Sequence, residues 1–464
     1  MYKHLLNVCL FINLLIFPCA GFTQNLEPSQ FEALQGPNWV REGVIYSIFT
    51  RNFSSEGDFQ GITNKLEALK NLGITTIWLL PIHPIGQKMK KGSIGSPYCI
   101  QDYYAFYPSY GNKEDFQRLV NRAHQLGLKV IIDMVANHTS WDSVLMNNPD
   151  FYKHDIQGNI IPPIPDWHDV AALEYNNPDV RTYMINMIKY WLTEFNLDGF
   201  RFDAAGMVPL DFWQQMRKEL HEINPNILLL GEGDNPQALA KAFDLDYSWD
   251  FERALNNIIQ NGAPATSSLQ SVLALEQSKF PKNALHLRFS DNHDKKRAIT
   301  RYGEKASLAV SALIFTFEGV PLIYNGMEVG DTTESTDPAL FEKAPIQWHN
   351  NVIRPEFKAF YQHMIALRKK HHSLRDGELV WLKNSDNSRI VTYLRKSNDE
   401  EFFIAINLSN RPFEGNVENG ANNNYTDVTT PLNGESASSG SVNFPSISLK
   451  PWEYRILYRN RNQG

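Results

Sequence analysis

The sequence predicts an α/β fold: a (β/α)8, or TIM, barrel followed by a small antiparallel β domain. Three observations carry this. Between about residues 40 and 370, eight short apolar, β-branched runs alternate with longer helix-period segments, and eight is the number of parallel strands that closes a barrel. Beyond Asp376 the pattern changes to short alternating strands broken by Gly, Asn and Ser clusters. A chain of 464 residues also exceeds the size at which one hydrophobic core usually keeps growing.

Taken in chain order, Met1-Tyr2-Lys3-His4 leads into an apolar run from Leu5 to Phe17 and then Pro18-Cys19-Ala20-Gly21. That order is expected of a secretory signal peptide over residues 1–24, because thirteen or so apolar residues fall short of the ~20 that span a bilayer. Pro18 stands where a lipoprotein signal wants a small residue, so export without a lipid anchor is the expectation. No later stretch reaches transmembrane length. With the leader removed, Cys99 is the sole cysteine and no intrachain disulfide can form.

The expected barrel strands are Val44 to Phe49, Thr75 to Leu80, Lys129 to Val135, Leu197 to Asp203, Asn226 to Gly231, Phe243 to Ser248, Ala284 to Phe289 and Val320 to Tyr324. The helices between them are punctuated. Asn112 is placed to cap a helix whose apolar face is Phe116, Leu119, Val120 and Ala123, and Gly127 is placed to stop it. Leu66, Leu69, Leu72 and Gly73 repeat that logic one unit earlier. After the third strand comes a Pro-, Asp- and Asn-rich excursion, residues 139–177, and a helix is expected from Pro178. Loops of that length in compact domains are usually functional. In the tail, Arg389 to Tyr393 and Phe402 to Ile406 read as strands, and the polar stretch Asn416 to Ser441 reads as loop.

Composition narrows the partners. The apolar fraction of 42% and charged fraction of 20% are ordinary, and the 12% aromatic content is generous for core packing and for sugar contact alike. A net charge of -7 without a long basic run argues against nucleic acid and anionic membranes, leaving neutral substrates.

In a closed βα barrel the chemistry sits at the C-terminal strand ends. The fourth strand ends Gly199-Phe200-Arg201-Phe202-Asp203, and residues two apart share a face, so the Arg201 guanidinium is expected to hold Asp203 ionised, as a nucleophile requires. The fifth ends Leu228-Leu229-Leu230-Gly231-Glu232, one acid on apolar surroundings, where a raised pKa suits a general acid. The seventh ends Asp291-Asn292-His293-Asp294. The third ends Asp133 to His138, with Asp133 read as structural because it precedes the strand tip.

In this order and spacing the four segments resemble the four signature regions of the alpha-amylase family. Gly73 to Pro81, the Tyr-x-x-x-Asp-Tyr stretch Tyr98 to Tyr103, and Gly319 to Glu328 resemble further segments of that family. The resemblance covers about 420 residues. It implies a catalytic barrel over residues 37–375, a small inserted domain at 139–177 and a C-terminal β-sandwich at 376–464. It also implies Asp203 as nucleophile, Glu232 as acid and base, and Asp294 as the acid that holds and distorts the sugar. Arg201, His138 and His293 would grip the same glucose, with Tyr98 stacking on it. A structural calcium ion is implied at Asn137, Asp169 and the Met207 carbonyl, oxygen ligands that suit this hard ion.

The implied activity is retaining hydrolysis of internal α-1,4-glucosidic bonds in starch-like glucans and maltooligosaccharides by a monomer. Exo-acting relatives place an Asp directly after the stacking Tyr; here Cys99 stands there, which predicts an open cleft unless an acid of the excursion, such as Asp166, closes it. Alternatives are a transglycosylase, a maltooligosaccharide- or pullulan-degrading relative of neopullulanase or alpha-glucosidase type, and a non-catalytic glucan-binding protein. The last typically loses the carboxylates that are all present here. The chain departs from the family pattern at Ala204-Ala205-Gly206-Met207 and at Gly233-Asp234, which predicts leaving-group contacts unlike those of many alpha-amylases.

Overall fold

A computed structural model describes residues 31–333, 339–418, 425–429 and 442–463. The expected leader, residues 1–24, and most of the polar stretch before Ser441 lie outside the described residues.

Eight parallel strands close a barrel: β1 (Ile45–Ile48), β2 (Thr76–Leu79), β3 (Lys129–Val135), β4 (Gly199–Asp203), β5 (Leu228–Gly231), β6 (Leu245–Tyr247), β7 (His286–Arg288) and β8 (Val320–Tyr324). Each pairs with its sequence neighbours, and β1 pairs with β8 to close the ring. Every expected strand is present, most of them trimmed at the ends. Alternation divides the side chains. Ile45, Trp78, Ile131, Leu228, Leu230, Leu245, Tyr247, Leu287, Val320 and Leu322 fill the interior, while Phe200 and Phe202 face the helices. Gly199 is required where β4 begins: its φ is +149° and a Cβ there would lie 2.1 Å from the Leu228 carbonyl oxygen.

The helices obey the caps read from the sequence. In Lys113–Gln125 the Asn112 side chain accepts from the Asp115 N–H at 3.0 Å and Asp115 accepts from the Asn112 N–H at 3.0 Å, a reciprocal capping box. Asn177 caps Pro178–Phe195, whose buried Trp191 donates to the Tyr103 carbonyl at 2.8 Å. Tyr103 in turn donates to the carbonyls of Val135 (2.6 Å) and His138 (2.9 Å), which fastens the segment that carries Tyr98 to the end of β3.

The excursion is built around a two-stranded hairpin, His138–Ser140 with Val170–Ala172. Tyr175 donates to the Ala136 carbonyl at 2.6 Å, and Tyr152 and Thr139 share a 2.8 Å hydrogen bond, so the excursion lies against the barrel mouth.

The tail forms two antiparallel sheets. One has five strands in the order β9 (Glu378–Trp381), β10 (Ile390–Lys396), β11 (Glu400–Asn407), β16 (Tyr454–Asn460) and β13 (Thr426–Asp427). The other orders β12 (Phe413–Asn416), β15 (Ser446–Leu449) and β14 (Val442–Asn443). Ile390, Leu394, Phe403 and Ala405 meet Phe413, Ile447 and Leu449 between the sheets. The alternate residues, Val391, Tyr393, Phe402, Ile404 and Ile406, join the core of the barrel helices instead. β11 is therefore buried on both faces. Tyr393 shares a 2.6 Å hydrogen bond with Thr316 and packs edge-on to Phe317.

Replacing Tyr393 by Ala is expected to destabilise the chain by about 3–5 kcal/mol, the range for aromatic truncation in a core. Urea unfolding followed by tryptophan fluorescence measures it, and a loss under ~1 kcal/mol would mean the tail is not part of the barrel's folding unit.

Candidate active site

β3 and β4 run in register with Asp133 beside Arg201 and Val135 beside Asp203. The side chains of Asp133, Arg201 and Asp203 therefore enter the barrel interior together. Arg201 is 0% exposed. One terminal nitrogen contacts Asp133 at 2.8 and 3.0 Å and Asp203 at 3.0 Å, the other is paired with Glu232 at 2.9 Å, and Nε donates to the Tyr247 hydroxyl at 3.2 Å. The rings of Trp78, Tyr98 and Tyr247 surround the guanidinium at 5.4, 5.8 and 5.6 Å.

One guanidinium thus faces three carboxyls. Burial raises the pKa of Asp203 above its ordinary value; Arg201 pulls it down and Asp294 pushes it up. Glu232 is likewise raised by burial, opposed by Arg201 and reinforced by Asp203 and Asp294. Asp133, wholly buried, is raised to about 7. The expectation that Arg201 leaves Asp203 with a lowered pKa is corrected: desolvation outweighs the single cation, and the cluster favours a shared proton.

A second relay runs across the mouth. Tyr98 donates to Asp133 at 3.0 Å, and its oxygen lies 2.7 Å from His293 Nε2, which is 3.3 Å from Asp294. With the hydroxyl proton given to Asp133, this network assigns the imidazole proton to Nε2. Burial lowers His293 to about 3 and His138 to about 4, so both rings are neutral at ordinary pH. Ala204 follows Asp203 in the left-handed region, φ +44°, and its N–H donates to Glu232 at 2.9 Å. A strained residue held at this point is spent on orienting a carboxyl. Tyr98, His138, Asp203, Glu232, His293 and Asp294 line one cavity of about 360 Å³.

The calcium set behaves differently. Asp169 lines the same cavity, where its carboxylate lies 3.1 Å from the Lys91 ammonium and accepts from the Cys99 thiol at 3.3 Å. Asn137 contacts His138 at 3.2 Å and the Met207 sulfur at 3.8 Å. A cation from the chain already neutralises Asp169, and the contacts of Asn137 are with nitrogen and sulfur. Both contacts of Asn137 run through its amide nitrogen, so its carbonyl oxygen, the atom a hard cation would take, is not among them.

Sequence reasoning did not single out Trp78, Tyr247, Trp167 or Lys91. The first two were legible as inward positions, being two residues and one residue before the ends of their expected strands. Trp167, packed edge-on to His138 at 5.5 Å, and Lys91 come from loops whose path the sequence does not encode locally.

The family model described as alpha amylase, catalytic domain, matches residues 26–156 and 166–363. The solved structure of a noncanonic maltogenic alpha-amylase from Thermotoga neapolitana superimposes with a TM-score of 0.80 at 30% identity, covering 91% of this chain and 99% of that one. A cyclomaltodextrinase from a Bacillus species is 26% identical over 81% of this chain and 74% of its own length. An intracellular maltogenic amylase of Bacillus subtilis is 28% identical over 82% and 70%.

Asp133 generates a pH prediction. Its folded pKa lies above the ~3.9 of an unfolded Asp, so its contribution to stability is full below pH ~4 and is lost as pH rises through about 7, at up to ~1.4 kcal/mol per unit. Urea midpoints from pH 4.5 to 7.5 should fall more steeply for the native chain than for Asp133→Asn. Parallel slopes would mean that Asp133 stays ionised throughout.

Proposed function

The chain belongs to the alpha-amylase family of glycoside hydrolases and is a glycosidase, and from that premise we propose that it is a retaining hydrolase of α-1,4 bonds in short maltooligosaccharides. The single observation that carries the mechanism is the Arg201 guanidinium touching both Asp203 and Glu232. Two carboxyls that share one guanidinium are close, as in retaining enzymes, where the separation is ~5–5.5 Å, whereas inverting enzymes leave ~6.5–9.5 Å for a water.

In this reading Glu232 holds the shared proton. Its pKa is raised by burial and by the neighbouring negative charges, and the Ala204 N–H fixes its orientation. Asp203 then carries the negative charge facing Arg201 and attacks the anomeric carbon as Glu232 protonates the leaving oxygen. Water, deprotonated by Glu232, releases the sugar from Asp203. Asp294 and the neutral His138 and His293 grip the glucose hydroxyls, and Tyr98 packs on its face. A general acid supplies only ~10²–10⁴ of the rate, so orientation and distortion by these groups carry much of the rest.

The cavity supports short substrates over an endo-acting cleft. Its 360 Å³ stands at the low end of ligand pockets, ~300–1,000 Å³, and an acid of the excursion, Asp169, forms part of its wall. Relatives named for maltogenic and cyclomaltodextrin-cleaving activity support the same direction. The leader-like order of residues 1–24 supports export, and the net charge of -7 supports a sugar partner over nucleic acid.

On maltoheptaose and soluble starch, we expect maltoheptaose to be cleaved at least ~10-fold faster per site, with starch viscosity falling slowly. A rapid viscosity drop with mixed long products restores the endo reading. Proton NMR should detect the α-anomer first. Glu232→Gln should lose ~10²–10⁴ in kcat on maltooligosaccharides and much less on activated aryl glucosides; equal losses would remove Glu232 from the acid role.

A further inference from the structure

We propose that Asp169 and Lys91 form a chain-end reader in this cavity, selecting glucans whose non-reducing terminal glucose carries a free 4-hydroxyl. The assignment rests on the reading of the cavity as a maltooligosaccharide hydrolase site.

Asp169 directly precedes the second strand of the excursion's hairpin, and its side chain is only 7% exposed. One carboxylate oxygen is ion-paired with Lys91 at 3.1 Å and the other accepts from Cys99 at 3.3 Å. The Cys99 thiol is buried and points its sulfur at this carboxylate. Both partners come from the segment after β2, so a loop other than the one that carries Asp169 holds this carboxylate in place. A carboxylate has about four acceptor sites, of which these contacts use two, and Asp169 is among the residues that line the cavity. Lys91 also lines the cavity; besides Asp169 it contacts the Asp166 carbonyl at 3.4 Å, and the Phe341 ring lies 6.0 Å away.

The position of the pair follows from its neighbours. Asp169 acts electrostatically on His138, and His138 packs against Trp167, so Asp169 belongs to the wall that carries the glucose-gripping groups. Glu232, the proton donor to the leaving group, is bonded to Ala204 and Gly206. A Cβ at Gly206 would meet only Gly233 at 3.9 Å, so that side is walled by bare backbone and leaves room for leaving sugars. The charged pair stands on the glycone side.

An acceptor-only carboxylate needs a hydroxyl that donates. Within a glucan the 4-oxygen of every internal glucose is an ether and has no proton. The terminal unit alone presents adjacent 3- and 4-hydroxyls, which satisfy a carboxylate and an ammonium side by side. Sites built to hydrogen-bond a hydroxyl reject analogues lacking it strongly, because their own polar groups are left unpaired. The Asp absent after Tyr98 is in this way replaced by one from another loop, held through the very cysteine that took its place.

The test compares linear maltoheptaose, maltoheptaose blocked at its terminal 4- and 6-hydroxyls, and cyclomaltoheptaose. The native enzyme should favour the free-ended chain by ~100-fold or more in kcat/KM. Asp169→Asn and Lys91→Met should each bring the free-to-blocked ratio towards one, chiefly by raising KM for the free-ended chain, with urea unfolding to confirm that both variants fold. A native enzyme that cleaves free and blocked chains equally, or variants that keep the native ratio, overturn the chain-end assignment alone. A native enzyme that cleaves none of the three overturns the maltooligosaccharide reading together with it.

Discussion

A single buried cation facing three carboxyls sets the constraint that the rest of the site answers to. Removing Arg201 from water is unfavourable unless its charge and donors are met; here Asp133, Asp203 and the Tyr247 hydroxyl accept hydrogen bonds from it, Glu232 faces its other terminal nitrogen as an ion pair, and three aromatic rings lie around it. The charges do not cancel. One positive against three acids in a buried interior favours retaining a proton, and a glycosidase that must protonate a poor leaving group needs a carboxyl whose pKa is raised above the ordinary range. Stability and chemistry therefore meet in one group.

The barrel delivers these side chains because parallel strands in register repeat their inward faces at the same height. Asp133 and Arg201 are neighbours across β3 and β4, and Asp203 stands one inward step higher, beside Glu232 at the tip of β5. Below them lies a dry plug of Ile, Leu and Val, so the polar layer has water on one side only. The C-terminal domain extends the same packing outward: β11 is apolar on both faces, one against its partner sheet and the other against the barrel helices. Such a sheet is a third layer of the fold more than a separate module.

The excursion has a different task. Its hairpin is tied to the end of β3, and the segment carrying Tyr98 and Cys99 is tied to it in turn through Tyr103 and Trp191. A wall assembled from two loops would be poorly defined without such anchors. With them, a carboxylate and an ammonium 3.1 Å apart can be kept at the rim of the cavity.

The eight strands were legible because β-branched runs and capped helices state their periods locally, and the carboxyls Asp203, Glu232 and Asp294 were legible because strand-end position is a property of the chain itself. Asp133 was readable as structural, and holding Arg201 is a structural task. The direction of the Asp203 shift was not readable: two residues on one strand disclose the attraction of Arg201, whereas desolvation and the competition of Glu232 and Asp133 for the same cation arise only once the barrel closes. The same holds at Cys99. The sequence shows which residue follows Tyr98, but that its thiol meets Asp169, seventy residues away, depends on the path of the excursion over the mouth. Local pattern determined the elements and the identity of the acids; tertiary packing decided their protonation and the shape of the cavity, because burial and long-range charge are properties of the folded volume and not of the chain.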